Sequence, residues 1–212
     1  MKKLFFITLA AAFIACQPKP SENTEVVESN PLEINCDGIG PIKMAFTHAD
    51  VIASVGQEKV VDTVFNVDGN NVNVSIVNPD EAEEILVYWN ENEAPFNTIS
   101  ELKIRQAYSP YALANGLKIG SSLEDLRTHN NFQPIIMTNF YNNLDGYAEV
   151  KSFSSGDLGT SFPCLNLKLD IVQQKGLDVG IRDAAKEQEE LKSSDRIFSM
   201  LEVVIHDISI KR

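Results

Sequence analysis

The most constraining stretch of this chain is a pair of β-branched runs, Lys59–Val67 and Asn71–Val77, separated only by Asp68-Gly69-Asn70. In the second run Val72, Val74 and Ile76 alternate with Asn71, Asn73 and Ser75, a period of two that sends each set to its own face of a strand. Gly and Asn accept positive φ, so the residues between the runs spell a hairpin turn. Asn78-Pro79-Asp80 then marks a turn, and the acidic Asp80-Glu81-Ala82-Glu83-Glu84 reads as solvated. Further strands are expected at Ile85–Trp89 and at Ile99–Ala107, where Leu102 and Ile104 alternate with Lys103 and Arg105. Ile135–Tyr141, Tyr147–Phe153, Leu165–Val172 and the closing Leu201–Ile210 have the same character. Arg182–Lys192 holds good helix formers with a poor apolar face and predicts a solvated helix or loop.

Two short helices are announced by their caps. In Ile42–Gly56, Thr47 is a natural N-cap, and Asp50 three residues on gives the capping-box spacing in acidic form. Val51, Ile52 and Val55 make a helical stripe, and Gly56 sits where a C-terminal cap falls. Asn115–Asn131 repeats the plan 75 residues later, with Ser122 at the cap, Asp125 at the acidic position, and Lys118 and Leu126 in the places of Lys43 and Val51. Helix followed by strands, twice, predicts an α+β fold: two tandem repeats of a short helix plus an antiparallel β-meander, helices packed on one face of the sheet. The repeats are expected at residues 34–112 and 113–212.

The first residues do not belong to that fold. Lys2 and Lys3 precede an apolar run, Leu4–Ile14, which has signal-peptide length and is too short to span a bilayer. The run ends Phe13-Ile14-Ala15-Cys16, which resembles the lipobox of bacterial lipoproteins. That resemblance implies a signal peptide over 1–15 and a mature chain starting at an acylated Cys16, held in the bilayer by palmitate-type chains. Gln17 in place of Asp implies the outer membrane, facing the periplasm or the exterior. Residues 16–33, with three Pro, several Glu and no apolar period, read as a flexible tether. The whole chain carries a net charge of −12, and losing 1–15 removes two lysines and no acid, leaving −14. Such a surface excludes nucleic acid and electrostatic attachment to anionic lipid, so the acyl chains must hold the membrane alone.

The unit IK-x-x-x-T-x-x-D-V-x-x-x-x-G at Ile42–Gly56 is similar to the small barrel-assembly lipoproteins (BamE-like) and to the tandem repeats of the β-lactamase-inhibitor-protein fold. NGLKIGSSLEDL, at 115–126, resembles uncharacterised lipoproteins of the Bacteroidetes type. Ala45-Phe46 departs from the Gly-Met usual in the barrel-assembly group, and Gly120 restores the glycine in the second unit. The resemblance implies a non-catalytic protein-binding module, or an inhibitor or ligand-binding protein that uses a concave sheet face.

The residues offer little chemistry. His48, His129 and His206 are the three histidines, and no pair has metal-ligand spacing. HExxH, CxxC, GxSxG, a P-loop and GxGxxG do not occur, so no enzyme, cofactor or metal is expected. Cys36 and Cys164 remain as an even pair that forms either one disulfide closing 128 residues or two buried thiols. Of the aromatic residues, Tyr88, Trp89 and Phe96 are candidate anchors for a partner, because such side chains dominate interface hot spots. The remaining aromatics read as core.

Overall fold

The structure is a computed structural model that describes residues 30–67, 69–176 and 178–212. The expected signal peptide, Cys16 and most of the tether lie outside the described residues.

The chain starts with three short strands, β1 (Glu33–Asn35), β2 (Gly38–Ile39) and β3 (Ile42–Lys43), followed by helix α1 (His48–Val55). A meander comes next: β4 (Val60–Val67), β5 (Asn70–Val77), β6 (Ile85–Trp89) and β7 (Ile99–Ile104). After β8 (Ala112–Leu113) and α2 (Leu123–His129) come β9 (Ile136–Thr138), β10 (Ala148–Ser152) and α3 (Asp157–Ser161). The chain closes with β11 (Leu165–Gln174), α4 (Val179–Lys186), β12 (Glu190–Lys192) and β13 (Leu201–Lys211).

These strands make two sheets. A small one has the order β3-β2-β1-β8, and a nine-stranded one the order β12-β9-β10-β11-β13-β7-β6-β5-β4. Every pairing in the large sheet is antiparallel. This corrects the expected α+β duplication. The protein is mostly β, and its helices do not pack as a layer on one face of the sheet. The physical reason is size. An eight-residue helix is only about 12 Å long, whereas nine strands at about 4.8 Å spacing span nearly 40 Å. The small sheet shares the work of covering: Ile34, Ile39 and Ile42 from it join one core cluster with Leu102 and Ile104 of β7 and Ile205, Ile208 and Ile210 of β13. The boundary expected at 112/113 falls inside β8, and β13 carries the large sheet across it by pairing with both β11 and β7.

The local signals did form what they announce. Thr47 accepts the Asp50 N–H at 3.3 Å while Asp50 accepts the Thr47 N–H at 2.9 Å. Ser122 and Asp125 repeat the arrangement at 3.0 and 2.9 Å. Hydrogen bonds from the Thr47 backbone and side chain hold the Asp50 carboxyl below its usual range, and those from the Ser122 side chain and backbone do the same to Asp125. Gly56 ends α1 at φ 99°, a region other residues rarely enter, and its N–H closes on the Ile52 carbonyl.

Buried polar side chains tie the second half together. Asn130 is fully buried at the end of α2. Its Nδ2 donates to the carbonyls of Gln133 (3.0 Å) and Phe153 (2.9 Å), and its Oδ1 accepts from the Leu158 N–H (3.3 Å). Gly156 is needed beside it, since a Cβ there would lie 2.2 Å from the Asn130 amide oxygen. Asn139, also buried, donates to the carbonyls of Ala185 and Gln188 at 2.7 Å each. A disulfide joins Cys36, in the turn after β1, to Cys164, immediately before β11. It pins the small sheet to the large one.

Candidate functional site

Alternation along the large sheet sends two different sets of side chains to its two faces. One face is the core. On the other, the cross-strand registers line up Tyr88 with Glu101, Glu101 with Lys211, and Lys103 with Ser209. Asp207 pairs with Lys168, and Lys168 with Glu149. This face is concave. A hollow of 850 Å³ is lined from eight of the nine strands, by Val67 of β4, Val72 of β5 and Tyr88 of β6 at one end and by Thr138 of β9 and Lys151 of β10 at the other. The loop Asn142–Asp145 borders it, and Leu144 stands fully exposed there.

The groove has an apolar end and a charged end. At the apolar end, Val74 and Leu86 are buried beneath Tyr88, apart from the main core. Phe65 meets Tyr88 edge to face at 6.3 Å. Lys103 lies over the Tyr88 ring, 5.7 Å from its centre, and 3.8 Å from both Glu101 and Asp207. Burial, then the Glu101 charge, pushes the Tyr88 hydroxyl up to about 12, so the phenol stays protonated and can donate. At the charged end Lys168 donates to Asp145 at 2.8 Å and lies 3.8 Å from Glu149. Burial alone would lower the Lys168 ammonium. The bond to Asp145 and the charges of Asp145, Glu149 and Asp207 override it, and the group ends above its ordinary value. The same bond, against the opposing effect of burial, draws Asp145 below the usual carboxylate range. Lys103, Lys151, Lys168 and Lys211 line the groove with Glu101, Asp145 and Glu149, and Asp207, in the adjoining hollow and 3.8 Å from Lys103, balances the fourth lysine, so this face is locally neutral in an acidic protein.

A second polar constellation lies on the core side, where α1 meets β4 and β5. The buried Trp89 Nε1 donates to Ser75 Oγ at 2.9 Å, and Ser75 donates to Asp62 Oδ1 at 2.5 Å. Asp62 in turn holds His48 Nε2 at 3.0 Å from both carboxylate oxygens. The His48 ring sits edge-on to Trp89 and Phe96, each at 5.9 Å, and Trp89 and Phe96 stack at 5.7 Å. A 350 Å³ cleft opens beside His48, Asp62 and Pro95. Serine, aspartate and histidine are all present, but in the wrong order for nucleophilic attack. The histidine must stand between the other two to take the serine proton. Here the aspartate stands between, and Ser75 is fully buried with its hydroxyl already committed. The chain is a structural clasp that fastens α1 to the sheet.

The three aromatic candidates therefore separate. Trp89 is buried within the clasp, Phe96 packs partly buried against it, and Tyr88 points to the concave face. His129 ends α2, while His206 stacks on Tyr147 at 4.0 Å. Among the described residues no cluster of three His, Cys, Asp or Glu side chains could hold a metal ion. The sequence does not reveal the groove lysines and acids, although its alternation puts Lys103 and Arg105 on one side of their strand. The signal was the polar set of β7, β10, β11 and β13, which only the strand order brings together. Glu84 departs from the solvated stretch expected at 80–84. It is buried, accepting from Arg105 Nε at 3.2 Å and from the Asp80 N–H at 3.1 Å.

No family model matches the chain, and no curated protein matches it. Among solved structures, the uncharacterised protein YfeY from Escherichia coli is similar, with 14% identity and a TM-score of 0.49, over 85% of this chain and 99% of that one. The BamE-like, inhibitor-like and Bacteroidetes-type resemblances thus have no family match behind them. What the comparisons give is a likeness to an uncharacterised bacterial protein.

Proposed function

We propose that this chain is an acylated envelope lipoprotein, anchored through Cys16, that binds a protein partner in the concave face of its large sheet without catalysing a reaction. The observation that carries the reading is the groove itself: an apolar end at Val67, Val72 and Tyr88 facing a neutral array of lysines and carboxylates. Hot spots favour an aromatic anchor ringed by polar groups that exclude water. Tyr88, fixed by Phe65 and Lys103, has that character. The volume also suits the runner-up reading, a small-ligand or inhibitor site, since ligand pockets run to about 300–1,000 Å³.

Two experiments test this. Cys16→Ala must release the protein from the membrane fraction, and retention would overturn the anchor. A photo-crosslinking residue placed in living cells at Tyr88 or Leu144 must give a discrete protein adduct that the same probe at Val179, exposed on α4, does not. Equal adducts at both places, or none in the groove, would overturn the protein-binding site. A small molecule retained by the native protein and lost in Lys103→Glu would instead favour the ligand reading.

A further inference from the structure

Among the described residues the nine-stranded sheet ends on β4, which pairs with β5 and has no neighbour on its other side. Free edges invite pairing with other chains, and proteins blunt them with charge, proline, bulges or short length. β4 has no proline or bulge, and its one charge, Asp62, is already bonded to His48 and Ser75. It runs eight residues in unbroken register with β5, its sequence is VVDTVFNV, and Val61, Val64 and Val67 are 48%, 54% and 42% exposed. The opposite edge is β12, only three residues long, with exposed Glu190 and Lys192 flanking a buried leucine. One edge is guarded and the other is open.

The open edge is also self-complementary. The Asn78 N–H bonds the Lys59 carbonyl at 2.9 Å, which sets the phase of the ladder. Odd-numbered residues of β4 bond β5, and Asp62, Val64 and Asn66 turn their N–H and C=O groups to the free side. We infer that two copies of this chain join edge to edge, β4 against β4, antiparallel about a two-fold axis at Val64. That register makes Val64 face itself, Asp62 face Asn66 of the second copy, and Val61 face Val67. The three exposed valines, spaced three residues apart, all meet valines. No carboxylate opposes its own copy, as Asp62 would in a pairing centred one residue pair earlier. The outward groups close about six hydrogen bonds, and the contact is isologous, so it stops at a dimer. Two strongly acidic chains repel, so the dimer tightens as salt screens that repulsion.

The test uses the full chain carrying Cys16→Ser. Sedimentation equilibrium must show the mass rising toward twice the monomer with concentration, and further at higher salt. Val64→Lys places two ammonium groups face to face on the axis and must return the mass to the monomer value. Its side chain is exposed, so unchanged circular dichroism will show that the fold survives. Register is read by disulfide trapping. Val61→Cys mixed with Val67→Cys must crosslink, because those positions face each other at about 4.5 Å between Cα atoms. Val61→Cys alone must not, as the two copies of residue 61 lie about 20 Å apart along the strands. A monomer at every concentration overturns the inference, and so does a dimer indifferent to Val64→Lys. Equal crosslinking by Val61→Cys alone overturns it too.

Discussion

The two capped helices begin alike and are fastened differently. Both α1 and α2 start from a hydroxyl-plus-aspartate box of nearly the same geometry. Beyond the cap the resemblance stops. α1 is clipped to the sheet by a half-exposed chain, His48 to Asp62 to Ser75 to Trp89. α2 ends in Asn130, which is wholly buried and satisfies three backbone groups from three segments. A cap decides where a helix starts, and the interior decides what the helix is attached to. A polar clasp in contact with water can exchange its bonds for hydration, whereas a buried one has no substitute.

The strongest perturbation acts on both units together. Replacing Cys36 and Cys164 by Ala releases a loop of sequence separation 128, and should cost about 3–5 kcal/mol by the chain-entropy argument. Denaturant titration with and without reductant measures it, and a loss under about 1 kcal/mol would mean that the sheets hold each other without the bond. Next comes Asn130→Ala, which strands two carbonyls and one N–H in the interior and should cost about 3 kcal/mol. Ser75→Ala leaves the Trp89 N–H without its partner and should cost about 2 kcal/mol. The comparison breaks if Ser75→Ala proves the more damaging of the two in urea titrations. Smallest are the caps: Thr47→Ala and Ser122→Ala should each cost about 1 kcal/mol, by the same amount in both units if capping is local.

Acid sharpens the same contrast. Asp50, Asp125 and Asp145 are all held below their ordinary range. A carboxylate depressed in the folded state adds stability above its unfolded pKa of about 4, and that stability is lost as pH falls through the folded value. Lys168, raised, adds stability that is lost only when pH climbs through its folded value, above the usual lysine range. Stability at fixed urea should therefore be flat near neutrality and fall below about pH 4. Asp125→Asn should flatten the acid limb, and an unchanged limb would sink the assignment.

Local features were legible in the sequence because their physics is local. The capping boxes need four consecutive residues, and the hairpin needs a turn between two alternating runs. Ile85–Trp89 forms β6 from a run of five. Features that failed to show depend on neighbours far along the chain. β1 to β3 and β8 are two or three residues long and too short to carry a period. The stretch 182–192 divides into the end of α4 and the edge strand β12, and only pairing with β9 makes Glu190–Lys192 a strand. Trp89 looked like an exposed anchor because sequence cannot say which face of a strand is the core.

The sequence by itself determined where α1 and α2 start, where the longer strands run and that the chain is acidic. Tertiary structure alone decided that β13 would lie between β11 and β7, and from that placement come the groove, its paired lysines and carboxylates, and the contrast between an open and a guarded edge. The reason is that propensity and capping act over a few residues. Strand order is settled by which apolar faces can be buried together, a property of the whole chain.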